Sequence, residues 1–227
     1  MGGRIQKVLA PKDSVQLSEG SLKVGMVSLG CPKNRVDSER MLGQLKGAGY
    51  AITPHAEEAD LLLVNTCAFV RSAQEESIES ILRMARYKEK GRCRALVVTG
   101  CLPQRFGQEL ADQMPEVDAW MGVGPASGII AACQRALCGQ GSSHGRQTQG
   151  LRDGWEEDPV RLLSTPSHYA YLKVAEGCRN SCSYCVIPSL RGDLRSRTLP
   201  SLLQEAEELV GQGVRELILV AQDLGHY

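Results

Sequence analysis

The chain has 227 residues, 42% of them hydrophobic and 23% charged, which is enough to bury the core of one or two soluble domains. Lys plus Arg and Asp plus Glu both number 26, so no basic field favours nucleic acid and no acidic excess marks a solvating tail. No export signal opens the chain and no transmembrane segment is evident; disulfides are therefore not expected, and each of the nine cysteines is read as a metal ligand, a reactive thiol or a small buried hydrophobe.

Residues 1–21, through Pro11, Lys12, Asp13 and Gly20, mix charges and breakers without periodicity and predict a poorly ordered lead-in. Order begins near Leu22. A strand is expected at Val24 to Leu29, then a helix from Asp37 to Lys46 with Met41, Leu42 and Leu45 on one face, then a strand at Leu61 to Val64. A helix from about Ala73 to Lys90 follows, with Ile78, Ile81, Leu82 and Ala85 on one face. After it come a strand at Ala95 to Val98 and helices at Gln104 to Met114 and Ala126 to Leu137. This alternation predicts an α/β fold, an open parallel sheet flanked by helices, over residues 22–138.

Gly139 to Glu157 is rich in glycine and serine and poor in apolar residues, so a linker is expected over 139–166. A second unit, 167–227, offers a strand at Tyr169 to Ala175, a cysteine-rich loop, a helix at Leu202 to Val210 and a strand at Glu216 to Val220. Two strands and one helix neither close a sheet nor bury both its faces, so this unit reads as the start of something larger.

Two cysteine patterns carry chemistry. Cys178, Cys182 and Cys185 form a Cys-x3-Cys-x2-Cys run directly after a predicted strand. Tetrahedral zinc usually takes four protein ligands in two separated pairs, and no fourth Cys or His lies close in this loop. A 4Fe-4S cluster held by three cysteines fits better, because one iron stays open to a further ligand; a zinc knuckle completed from a distance is the alternative. Cys31, Cys67 and Cys101 are far apart in sequence, but each follows an apolar strand. Loops beyond the carboxyl ends of parallel strands share one edge of the sheet, so these thiols could converge on one cluster or simply cap a core. Cys93, Cys133 and Cys138 occupy no equivalent strand end and read as structural.

The cysteine run, with Tyr184 before its third cysteine, resembles the radical S-adenosylmethionine (radical-SAM) signature. Gly30-Cys31-Pro32-Lys33-Asn34, Asn65-Thr66-Cys67 and Gly100-Cys101 resemble the amino-terminal domain of the methylthiotransferase branch of that superfamily. The segments Cys31 to Glu39 and Ile187 to Arg197 are most similar to the RimO-type branch, with Pro32 where tRNA-modifying relatives usually carry Gln. The resemblance runs from about Leu22 to Tyr227. It implies that residues 167–227 begin a partial (β/α) barrel, and that the chain holds two 4Fe-4S clusters, one on each cysteine triad. S-adenosylmethionine would then bind near Tyr184; Gln222 and Asp223, at the end of the last strand where barrel enzymes keep functional residues, read as further contacts to it or as a helix cap. It further implies addition of a methylthio group to the β-carbon of an aspartate in small-subunit ribosomal protein S12, the alternatives being methylthiolation of tRNA adenosine and a non-catalytic iron-sulfur module. The implied setting is a cytoplasmic monomer supplied with electrons by a flavodoxin or ferredoxin, away from membranes. Relatives continue with later barrel strands and a small RNA-binding-type domain, so these 227 residues alone are expected to show little or no activity. Bland readings are kept for Arg191, Arg195 and Arg197, expected as a solvated basic strip, and for Gly122-Val123-Gly124, expected as a turn.

Overall fold

The computed structural model describes residues 21–139 and 161–227; residues 1–20 of the expected lead-in and 140–160 of the expected linker lie outside the described residues. Strand β1 (Lys23–Ser28) leads into helix α1 (Pro32–Gly47), which starts one turn earlier than the sequence suggests. Pro32 occupies the first helical turn, where its missing N–H costs no hydrogen bond. A two-residue strand β2 (Ala51–Ile52), a 3-10 turn at Ala56–Glu58 and strand β3 (Leu61–Thr66) follow. Helix α2 (Arg71–Lys90), strand β4 (Ala95–Gly100), helices α3 (Cys101–Phe106) and α4 (Gln108–Gln113), strand β5 (Ala119–Met121) and helix α5 (Gly128–Leu137) complete the first unit. The single helix expected at Gln104 to Met114 is two, broken at Gly107, whose φ of +47° lies in the left-handed region.

The five strands form a parallel sheet in the order β2-β1-β3-β4-β5. Its period of two sorts the side chains. Leu62, Val64, Leu96 and Val98 pack with Ile81, Met84 and Ala85 of α2 on one face, while Leu61, Leu63, Ala95 and Val97 pack with Met41, Leu42 and Leu45 of α1 and Ile129 and Ala132 of α5 on the other. Helices thus cover both faces, and the fully buried β3 and β4 are the continuous apolar runs that such a sheet requires. One detail of α2 differs from expectation: Leu82 faces solvent and Met84 takes its place in the core.

In the second unit β6 (Tyr169–Lys173) pairs in parallel with β9 (Glu216–Val220), with α7 (Leu199–Gly211) between them in sequence. The strand expected at Tyr169 to Ala175 is split at Val174. Beyond it, β7 (Ala175–Glu176) pairs antiparallel with β8 (Arg195–Ser196), and helix α6 (Ile187–Arg191) lies between those two in sequence. Ala170, Leu172, Leu202, Leu209 and Val214 build a small core here. Leu190 of α6 joins the core of the first unit instead.

Candidate metal centre

The register of the sheet decides where the separated cysteines go. Ser28 of β1 lies beside Asn65 of β3, and Asn65 and Thr66 lie beside Thr99 and Gly100 of β4. These three strands are neighbours and end together. Cys67 follows β3 directly, Cys101 follows β4 directly as the first residue of α3, and Cys31 caps α1 just beyond β1. All three line one cavity of about 420 Å³, walled also by Asn34, Leu190, Arg191 and Gln222.

Glycine makes the close approach possible. At Gly30, with φ +85°, an added Cβ would lie 2.7 Å from Cys67 Cβ; at Gly100, with φ +99°, it would lie 2.6 Å from the Thr66 carbonyl and collide with Asn65 Oδ1. The Asn65 amide donates to Asn34 O and Ser38 Oγ, both at 2.9 Å, while the Asn34 amide donates to Leu29 O at 3.1 Å and Thr66 O at 2.8 Å. Ser77 of α2 holds both backbone groups of Cys67, accepting from its N–H at 3.1 Å and donating to its carbonyl at 2.8 Å. These bonds tie the loops after β1 and β3 to each other and to their helices.

Burial pushes the Cys67 thiol up, and negative charge on Cys101 and Cys31 pushes it the same way. Three thiolates this close repel one another, so the set calls for a cationic centre to hold all three ionised. Among the described residues no three His, Cys, Asp or Glu side chains are grouped as the ligands of one metal ion. Thiolates bound to different irons of a polynuclear cluster are spread around it, and a cavity of about 420 Å³ with the three thiols in its wall fits such a group better than a single ion. The Gln222 Oε1 atom, on a residue of the cavity wall, is buried without a hydrogen-bond partner in the structure.

The second triad sits in the loop between β7 and α6. Cys178 and Cys185 are partly exposed and Cys182 is exposed. The Cys178 N–H donates to Gly192 O at 3.1 Å, and the Cys185 N–H to Cys182 O at 3.0 Å. Gly177, with φ +78°, faces Gly192 O, which an added Cβ would approach to 2.6 Å. The base of the loop is closed in this way. Tyr184 is 90% exposed. Gln222 is turned from this loop toward Glu176, to which its amide donates, while Asp223 accepts from Asn180 at 2.8 Å and pairs with His226 at 2.6 Å. Of the three residues expected near S-adenosylmethionine, Gln222 thus lines the strand-end cavity, and Asp223 reaches the cysteine loop through Asn180.

The expected basic strip is corrected at two of its three residues, Arg195 being half-buried. Arg191 and Arg197 are buried, 2% and 4% exposed. Arg191 donates through one terminal nitrogen to Asp37 at 2.9 Å and Glu176 at 3.1 Å, and through the other to Asn34 Oδ1 and to Cys101 Sγ at 3.4 Å. Lys173 bridges the same carboxylates, Asp37 and Glu176. Burial disfavours the charge on Arg191, but Cys101, Glu176 and Asp37 together raise its pKa well above the usual value. Burial likewise opposes ionisation of Glu176, and Arg191 and Lys173 overcome it, leaving the carboxyl far below the usual range. Arg197, Arg40 and Arg161 converge on Glu205. The expected turn at Gly122 to Gly124 is held by Gln104 Oε1, which accepts from Val123 N–H at 3.1 Å.

Sequence reasoning missed Asn34, Asp37, Lys173 and Glu176 as wall and support of the site. The available signal was Lys173 and Glu176 themselves, charged residues flanking apolar Val174-Ala175 immediately before the cysteine loop. Of the remaining thiols, Cys93 and Cys133 are buried and Cys138 is exposed; burial pushes the Cys133 thiol up to about 12.

Residues 23–122 match the model of the family described as "Uncharacterized protein family UPF0004". The chain is 52% identical over 208 residues to a "Ribosomal protein uS12 methylthiotransferase RimO" of Pelotomaculum thermopropionicum, covering 91% of this chain and 46% of that protein. It is 50% identical over 214 residues to the protein of the same name from Geobacter sulfurreducens, covering 93% and 47%. The chain therefore spans less than half the length of the curated relatives it matches. Its fold is shared, at TM-score 0.55 and 15% identity over 89% of this chain and 47% of the other, with a radical S-adenosylmethionine methyltransferase, TsrM, from Kitasatospora setae. That structure carries a tryptophan substrate and a cofactor analogue. A second structure of that enzyme, with cobalamin and a [4Fe-4S] cluster bound, matches at TM-score 0.51 and 14% identity.

Proposed function

We propose that this chain forms the cluster-binding half of a RimO-type radical-SAM methylthiotransferase, with residues 22–138 as its amino-terminal domain and 167–227 as the beginning of its radical-SAM domain. The observation that carries the reading is that Cys31, Cys67 and Cys101 line one cavity beside the loop unit that bears Cys178, Cys182 and Cys185. Each triad would hold a 4Fe-4S cluster through three irons. Such clusters supply one-electron cleavage of S-adenosylmethionine at one site and a binding position for the transferred sulfur at the other.

The chain's own residues have narrower tasks. Asn34, Asn65 and Ser77 fix the strand-end loops so that the thiols meet one cavity. Leu190, buried, and Phe69, half-exposed, give the cavity an apolar lining. Lys33 donates to Ala221 O at 3.1 Å and so links the first unit to the end of β9, next to Gln222 and Asp223. Those two residues and Tyr184 are the proposed S-adenosylmethionine contacts. The proposed substrate is an aspartate β-carbon of ribosomal protein S12, the proposed reductant a flavodoxin or ferredoxin, and the proposed setting a cytoplasmic monomer. No helix among the described residues is long and apolar enough to cross a membrane.

A chimera joining this chain to the remaining sequence of the Pelotomaculum relative, reconstituted anaerobically with iron and sulfide, tests the assignment. With S-adenosylmethionine and a reductant it is expected to methylthiolate ribosomal protein S12 and leave tRNA unmodified, as read by mass spectrometry of both. Methylthio groups on tRNA adenosine would move the assignment to the tRNA-modifying relatives. Full iron content with no S-adenosylmethionine binding would leave a non-catalytic iron-sulfur module.

A further inference from the structure

We propose that Arg191 is a positioning residue that sets the reduction potential of the strand-end centre through its N–H···S bond to Cys101, and so links that centre to the loop bearing the other triad. The inference rests on the reading of Cys31, Cys67 and Cys101 as cluster ligands.

Arg191 is the last residue of α6, the helix that follows Cys185 directly, yet its guanidinium lies in the cavity wall of the other triad. The planar fork divides its work. One terminal nitrogen serves Asp37 and Glu176, and the other serves Asn34 and Cys101 Sγ. Asp37 and Asn34 come from α1, Glu176 and Arg191 from either side of the Cys178 loop. One side chain thereby fixes the distance between the two cysteine-bearing segments.

The electrostatic consequence follows from the charge count around it. Arg191 and Lys173 face Asp37 and Glu176, two cations against two carboxylates, so this buried group adds no net negative charge beside the thiolates. Lys33, which donates to Ala221 O, also lines the cavity and is the same in every variant, so what Arg191 adds is the N–H aimed at sulfur. A hydrogen bond to a ligating thiolate withdraws electron density from the cluster and favours its reduced, more negative state. Lysine in this place would keep the charge for Asp37 and Glu176. Its single ammonium cannot serve the carboxylates and the Asn34 and Cys101 side together, so the bond to sulfur would be lost.

The test uses the whole chain carrying Cys178→Ala, Cys182→Ala and Cys185→Ala, which leaves the strand-end triad intact, reconstituted anaerobically. Arg191→Lys and Arg191→Met are made in that background, and each protein is assayed for iron per chain, circular dichroism and midpoint potential by EPR-monitored titration. Both variants are expected to retain the background's iron and to titrate at more negative potential, with the shift larger in Arg191→Met, which loses the charge as well. Should Arg191→Met fail to fold, Arg191→Lys decides alone, since it keeps the ion pairs. An unchanged potential in folded, iron-loaded Arg191→Lys overturns the proposal while leaving the triad reading intact. A background protein that binds no iron overturns the triad reading, and the proposal with it.

Discussion

Arg161 and Glu39 face each other at 2.6 Å with 1% and 0% of their side chains exposed, and Arg161 also reaches Glu205 at 2.5 Å. Such groups stabilise a fold only as a set, because a lone buried charge has no water to solvate it. Arg161→Met is therefore expected to lower stability by about 3–5 kcal/mol, read as a drop in the urea midpoint; a change within experimental scatter would contradict the buried geometry. Glu205 adds a pH signature. Burial raises its pKa, but Arg40, Arg161 and Arg197 lower it by more, to about 2 from the ordinary 4.5. Its folded pKa lies below its unfolded one, so its contribution is complete above about pH 4.5 and is lost as the pH falls through about 2. At 1.36 kcal/mol per pKa unit the contribution is roughly 3 kcal/mol. The stability gap between wild type and Glu205→Gln should narrow between pH 5 and pH 3 by about half or more of that amount; a gap independent of pH would contradict it. Residues of this kind were the least legible in the sequence. Arg191 and Arg197 read as solvated because a charge in a sequence carries no mark of burial, whereas the cysteines were legible because metal ligation imposes spacing.

At the scale of elements, the long apolar runs of β3 and β4 and the amphipathic α2 were evident from periodicity, since each spans enough residues for a period of 2 or 3.6 to register. The strands β2, β5, β7 and β8, of two or three residues, carry no period at all and were missed. Two glycines at element junctions separate backbone strain from steric exclusion. Gly107, between α3 and α4, has a positive φ, but an added Cβ would meet nothing nearer than Pro103 O at 3.7 Å. Gly107→Ala should cost about 1–3 kcal/mol of backbone strain and keep its iron. Gly100, between β4 and Cys101, has a positive φ and also backbone of β3 within 2.6 Å of the added Cβ. Gly100→Ala should cost several-fold more and displace Cys101, with iron content falling in step. Equal thermal shifts and equal iron in the two variants would contradict the cradle.

Across the whole molecule, the two units meet through a shared buried charge network beside an apolar contact made by Leu190: Asp37 and Glu39 of α1 pair with Lys173, Arg191 and Arg161, and Arg40 pairs with Glu205 of α7. The α/β class and the alternating order of the first unit were legible because helices on both faces of a parallel sheet leave a repeated pattern. The cavity was only half legible. Its thiols follow from strand ends, but its far wall comes from α6 and Gln222, and no local pattern reports a contact between residues this far apart in sequence. The central claim is that six thiols form two separate cluster sites. Iron and sulfide quantification after anaerobic reconstitution tests it on wild type, Cys31→Ala and Cys182→Ala. About eight irons per chain, falling to about four in either variant, is the predicted result; bound zinc, or about four irons in wild type that survive Cys31→Ala, would contradict it.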